Sequence, residues 1–255
     1  MARAASAKPP SLFHRLAEGR ALVEHGAFRL LRGRLRQLPK GDGHAVLVLP
    51  GFMAGDESTR PMRSVLRDLG YEALGWRLGR NVRASVRREA EVLDLVERAY
   101  EISGRKVSLI GCSLGGLFAR EAAKRRPDHV RCVITLGAPL SGDPREAAIG
   151  AWFERENAGM GLALHDPEVR AALREAPPVP TTAIFSKTDG VVAWRSAYQK
   201  PGPEAESVEV EATHLGLPVN PLALVAVADR LAQPEGAWTP FRRTGWRARA
   251  FGDGV

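Results

Sequence analysis

Gly111-Cys112-Ser113-Leu114-Gly115 stands directly between an apolar run, Val107-Ser108-Leu109-Ile110, and a helix-like stretch, Leu117-Phe118-Ala119-Arg120-Glu121-Ala122-Ala123-Lys124. A strand that turns sharply into a helix through Gly-x-Ser-x-Gly needs small flanking residues, because the two arms approach closely and the serine is held strained and exposed. Five residues of this kind arise by chance in many chains. The strand signal before them and the helix signal after them give the pattern its weight.

The rest of the chain continues that alternation. Ala45-Val46-Leu47-Val48-Leu49 is a short, wholly apolar run of the sort buried on both faces of a sheet. A helix over 59–69, a strand over 71–76 and a long amphipathic helix over 82–101 lead to the Ser113 turn, whose helix runs to 126. Strands follow over 131–136, 181–185 and 207–210, and a last helix over 221–231. A helical, partly polar stretch over 143–176 interrupts the alternation and is expected to cap the carboxyl edge of the sheet, with Pro177-Pro178-Val179-Pro180 as a rigid return. Repeating strand–helix units with right-handed crossovers predict an α/β fold: a doubly wound, mostly parallel sheet of about six strands, with its site at the carboxyl ends of the strands.

Three regions emerge: 1–40, 41–237 with the cap at 143–176, and 238–255. With 255 residues and 44% hydrophobic content, the chain can bury a full core. Its net charge of +8 is uneven: +7 falls in residues 1–40, where nine basic residues face only Glu18 and Glu24, and +3 in the tail from Trp238. The body is therefore not basic, and nucleic acid is not an expected partner. In the first region Leu12, Leu16, Leu22, Val23, Leu30, Leu31 and Leu35 recur at helical spacing. The reading preferred for them is helices packed on the body with a solvated arginine face; peripheral membrane contact through 1–40 is the alternative. The tail, with Trp238, Phe241, Trp246 and Phe251 among arginines, is expected to lie over the body or stay partly disordered.

No stretch approaches a membrane span and no leader is visible, so the expected location is cytoplasmic. Cys112 and Cys132 fall at opposite ends of neighbouring parallel strands, roughly 16 Å apart, beyond the about 7 Å that a disulfide tolerates. Both are expected as free thiols. No cysteine or histidine partner stands at ligand spacing, so no metal and no cofactor is implied.

A serine hydroxyl needs a base within hydrogen-bond reach, and the base needs an acceptor that fixes its tautomer. Of six histidines, only His214 follows a strand at its carboxyl end; His14 and His25 fall in the basic helices, His44 precedes a strand, His129 sits in a turn and His165 in the cap. For the acid, Asp189 in Ser186-Lys187-Thr188-Asp189-Gly190 follows a strand in the same way, although Asp-Gly is also ordinary turn chemistry. Asp143 and Asp166 are less well placed. The backbone N–H of Leu114 and that of Phe52, with Met53 as the alternative, are expected to face the developing oxyanion.

These residues resemble the α/β-hydrolase fold family, and within it bacterial lipase- and esterase-like members, including the GPI-inositol-deacylase type. The resemblance rests on Val48-Leu49-Pro50-Gly51-Phe52, Gly111 to Gly116, Ile134-Thr135-Leu136-Gly137-Ala138-Pro139, Lys187-Thr188-Asp189-Gly190-Val191-Val192 and Thr213-His214-Leu215-Gly216, and spans about 41–235. It implies Ser113 as nucleophile, His214 as base, Asp189 as orienting acid, and Phe52 and Leu114 as the oxyanion hole. It also implies a carboxylic ester hydrolase acting through an acyl-enzyme on a small-molecule or lipid ester. Phe52, Met53, Trp76, Trp152 and Trp194 are the candidate lining of an acyl pocket. Alternatives are a thioesterase, amidase or acyltransferase with the same triad, or a non-catalytic membrane-surface or scaffold protein. Two departures stand out: Pro50 replaces the histidine usual before the oxyanion glycine, and the family's leading antiparallel strands are not visible. Oligomeric state is left open.

Overall fold

The structure, a computed structural model, describes residues 7–158 and 166–253. Six strands, β1 (Ala45–Leu49), β2 (Glu72–Gly75), β3 (Val107–Cys112), β4 (Val130–Leu136), β5 (Thr181–Phe185) and β6 (Ala205–Glu209), form one sheet in the order β2-β1-β3-β4-β5-β6. Every pairing is parallel. All-parallel sheets need helices on both faces, and successive side chains divide accordingly. Val46, Val48, Ile110, Ile134 and Ile184 pack on one face beneath α2 (Ala21–Leu35), α3 (Asp56–Asp68) and α9 (Pro221–Leu231). Leu47, Leu49, Leu109, Val133 and Ala183 pack on the other beneath α4 (Val86–Ser103) and α5 (Leu114–Arg125).

Strand order fixes where a site can form. From β1 the chain passes through α3 to β2 on one side, then α4 carries it back across to β3 on the other. The loops leaving β1 and β3 therefore diverge and open a crevice at the carboxyl end of the sheet. The expected cap contributes α6 (Gly150–Glu156) and α7 (Pro167–Arg174), while His165 lies outside the described residues. The tail, including the short α10 (Arg247–Ala250), lies over the body: Phe241 and Phe251 are buried, the Phe241 N–H donates to Glu206, and Arg247 bonds Asp229.

The amino-terminal helices depart from expectation. α1 (Leu12–Ala17) and α2 do pack on the body, but through Phe28 and Leu35. Leu12, Leu16, Leu22, Val23 and Leu30, read as the packed face, point to solvent. The helical period was legible; the direction of its face was not, because Glu18 and Glu24 take the inward positions. Arg32 bonds Asp68 and Ser64 of α3 and so orients the second helix. Cys112 and Cys132 are free thiols, as expected, and burial pushes the Cys112 thiol up to about 12. Among the described residues, no helix is long and apolar enough to cross a membrane.

Candidate active site

Ser113 joins β3 to α5 with φ 49° and ψ −122°, a conformation that a non-glycine residue adopts only when its surroundings enforce it. A Cβ on Gly111 would stand 2.4 Å from the Gly115 carbonyl oxygen, which is why the motif needs glycine where strand and helix converge. The Ser113 N–H donates to the Leu136 carbonyl at 2.8 Å. At the next residue, Gly137, a Cβ would lie 3.0 Å from His214 Nδ1 and 3.1 Å from Asp189 Oδ2. The elbow thus abuts an Asp–His pair.

That pair is bonded at 2.7 Å, His214 Nδ1 to Asp189 Oδ2, with both side chains almost wholly buried. The other carboxylate oxygen, Oδ1, accepts the N–H groups of Val191 and Val192, each at 2.8 Å. One oxygen of Asp189 holds the turn and the other holds His214. With Nδ1–H committed to the carboxylate, Nε2 of His214 is left as the basic nitrogen. Burial pushes the His214 pKa down, but the Asp189 charge and hydrogen bond, with Glu18 nearby, outweigh it, so the imidazole is more basic than usual. Among the described residues, the Ser113 hydroxyl forms no hydrogen bond. Of the other candidate acids, Asp143 lies on the same crevice as Ser113 but is bonded to Arg145 and Arg170, and Asp166 caps α7.

Glu18 is a site residue that sequence reasoning missed. Its Oε1 accepts the N–H groups of Gly190 and His214, both at 2.8 Å, and its Oε2 accepts that of Leu215 at 3.1 Å. Glu24 likewise receives Thr213 and Asn220 Nδ2. The amino-terminal arm therefore clamps the loops that carry Asp189 and His214. It lies so close that a Cβ on Gly190 would come within 2.3 Å of the His14 carbonyl oxygen. Nothing local to Glu18 signals this, since its partners lie more than 170 residues away.

The loop after β1 is held by Asn81, which is fully buried. Asn81 Nδ2 donates to the Pro50 carbonyl, its backbone carbonyl accepts the Met53 N–H, and its N–H donates to Ala54, each at 2.8 Å. Asn81 thereby steadies the loop in which Pro50 stands where the family resemblance implies a histidine. Because the Met53 N–H is engaged, it is unavailable as an oxyanion donor. Among the described residues, the Phe52 and Leu114 N–H groups have no protein acceptor, and Leu114 stands at the positive end of α5.

Comparisons with known proteins bear on the fold. Residues 57–176 match the family described as alpha/beta hydrolase fold. The chain has the alpha/beta hydrolase fold. Among solved structures, it is similar to Aspergillus fumigatus lipase B, at 18% identity and a TM-score of 0.61, over 76% of this chain and 54% of that one. It is also similar to mature Bacillus licheniformis lipase BlEst2, at 15% identity and TM-score 0.56 over 77% and 94% of the two chains. A Paleococcus ferrophilus monoacylglycerol lipase matches at 14% identity and TM-score 0.53 over 76% and 96%. The chain thus spans about half the length of the fungal lipase and nearly all of the other two. Curated protein sequences gave no significant match.

The space beside Ser113 is a small apolar cavity of about 50 Å³, walled by Phe52, Leu114, Leu117, Ile149 and Phe153. Of the aromatic side chains expected to line it, only Phe52 does. Trp152 touches it indirectly, edge-on to Phe52 at 5.2 Å. Trp76 is buried in the core with its indole N–H on the Gly79 carbonyl, and Trp194 stacks on Phe185 under Lys187 and Arg195; neither lines the cavity, nor does Met53. Spacing marks an aromatic as apolar but not as wall or core. A larger cleft, about 680 Å³, opens between residues 174–179 and 195–205, away from Ser113, Asp189 and His214.

A second serine–histidine–carboxylate set, Ser108, His44 and Asp42, sits at the amino ends of β1 and β3. His44 Nε2 and Ser108 Oγ are 2.8 Å apart, and His44 Nδ1 lies 2.5 Å from Asp42. Although the bonding order is that of a triad, Ser108 is fully enclosed inside a strand and His44 is 1% exposed, so no substrate can reach them. Burial holds the His44 pKa low, and Arg131 ties Asp42 to β4. This set braces the end of the sheet remote from the site.

Proposed function

We propose that the hydrolase cleaves carboxylic esters through an acyl-enzyme. His214 Nε2 takes the proton of Ser113 Oγ as the oxygen attacks the acyl carbonyl. The backbone N–H groups of Phe52 and Leu114 receive the oxyanion. His214 then protonates the leaving alcohol, and a water activated by the same imidazole releases the acid. Asp189 keeps the imidazole in the tautomer this requires, and rotation of the Ser113 side chain brings its hydroxyl onto Nε2.

The His214–Asp189 bond beside the strained serine turn carries this reading. The ester is the reading suggested by the lipases among its structural neighbours, which also include a thioesterase domain. The small cavity favours a short acyl group, because longer chains would need α6 to move away from Phe52.

Labelling with a fluorophosphonate probe tests the nucleophile: modification at Ser113, lost in Ser113→Ala, is expected, and an unlabelled folded protein would sink the proposal. In a series of p-nitrophenyl esters, kcat/KM should peak at short to medium chains. Faster turnover of the matching thioesters or anilides would shift the assignment to those substrates.

A further inference from the structure

Six large apolar side chains of the amino-terminal arm, Leu12, Phe13, Leu16, Leu22, Val23 and Leu30, are each 70–86% exposed. Other exposed apolar side chains, such as Val86 and Ile102, stand singly, whereas these six are concentrated on one arm, which marks a binding face. Its surroundings are cationic. Lys8, Arg15, Arg20, Arg29 and Arg34 are all exposed, and neither Arg29 nor Arg34 has a carboxylate partner among the described residues. The only two acidic residues of positions 1–40, Glu18 and Glu24, turn inward onto the loops around His214. Two carboxylates that would have neutralised the outer surface are thereby removed from it, so that the arm's own outer residues are apolar or positive, with Arg20 meeting Glu211 of the body.

We propose that this face docks on an anionic lipid surface. Charge selects the occupant: a second copy of the arm would set one strongly positive face against another, whereas an acidic bilayer attracts the arginines and accepts the leucines and Phe13. Nucleic acid would satisfy the arginines but leave the aliphatic side chains without a partner. The same contacts set the orientation of docking. Glu18 holds the His214 and Gly190 backbones, and Leu215, next to His214, is itself 61% exposed, so the carboxyl end of the sheet is carried towards the lipid. Docking is independent of the ester reading, because it is measured with no substrate present.

The test is flotation of the full chain with vesicles of phosphatidylcholine alone and of phosphatidylcholine mixed with phosphatidylglycerol. Binding is expected only to the mixed vesicles, and it should weaken as salt is raised. Phe13→Asp combined with Leu30→Asp, both at exposed positions and checked for an unchanged melting temperature, should bind about a hundredfold more weakly. Leu215→Asp should also bind more weakly, and binding equal to wild type there would overturn the orientation. The docking proposal is overturned if the wild type ignores the anionic vesicles or the double variant binds them equally well. It is equally overturned if the face serves instead for self-association or duplex DNA binding, read by sedimentation of wild type against the double variant.

Discussion

The proposed chemistry of Ser113, His214 and Asp189 depends on neighbours that do not react. Asn81 is the clearest case, since one buried side chain and its backbone hold the loop that carries Phe52, the proposed oxyanion donor. Replacing it with alanine frees the Pro50 carbonyl, at a cost of about 1–3 kcal/mol in stability. The larger effect is expected in catalysis: kcat of Asn81→Ala should fall about a hundredfold with KM little changed, because a displaced oxyanion donor matters most in the transition state. A KM-only effect in steady-state kinetics would contradict this. Glu18 acts through charge as well as through its hydrogen bonds. In the proposed mechanism His214 works as the neutral base, and its pKa is raised, so kcat/KM should fall on acidification with a midpoint above the ordinary histidine value of about 6.5. Glu18→Gln removes one raising charge, so its pH profile should move to lower pH; an unmoved midpoint would show that Glu18 serves only as a backbone clamp.

The arm formed by α1 and α2 joins packing to the site. Its anchor is Phe28, buried with Leu35 against the body, while most of its other apolar side chains face outward. Phe28→Ala should destabilise by about 3 kcal/mol in urea unfolding. Activity should fall further than the unfolded fraction explains, because a loosened arm withdraws Glu18 from the Gly190 and His214 loops. Activity that tracks the folded fraction alone would separate the arm from the site. The outward face illustrates the limit of periodicity: leucines at helical spacing define a stripe, but which way it points was decided by Glu18 and Glu24 finding backbone N–H groups near His214.

Two buried histidines at opposite ends of the sheet couple stability to pH in opposite directions. His44 has a lowered pKa, so its contribution is complete above the unfolded value of about 6.5 and declines as pH falls below it. His214 has a raised pKa, so its contribution is complete below that value and is lost as pH rises through its folded pKa. The two terms act in adjoining windows, that of His214 above about pH 6.5 and that of His44 below it. His214→Gln removes the term that grows as pH falls towards about 6.5, so between about pH 8 and pH 6.5 its urea midpoint should rise less on acidification than that of the wild type; parallel curves would refute the assignment.

What could be read from the chain alone was local in origin. Apolar runs of five or six residues punctuated by Gly and Pro announced the strands, and the glycines around Ser113 announced the elbow, because backbone sterics act between near neighbours. Ser113, Asp189 and His214 could be placed together since each follows a strand at its carboxyl end, and a parallel sheet brings all such ends to one edge. Glu18, Asn81, the inward glutamates and the division of tryptophans between core and rim became visible only in three dimensions. Each depends on a partner distant along the chain, 196 residues away for Glu18 and His214. No spacing rule reaches across such a gap, and only the packed sheet brings these groups within hydrogen-bonding distance.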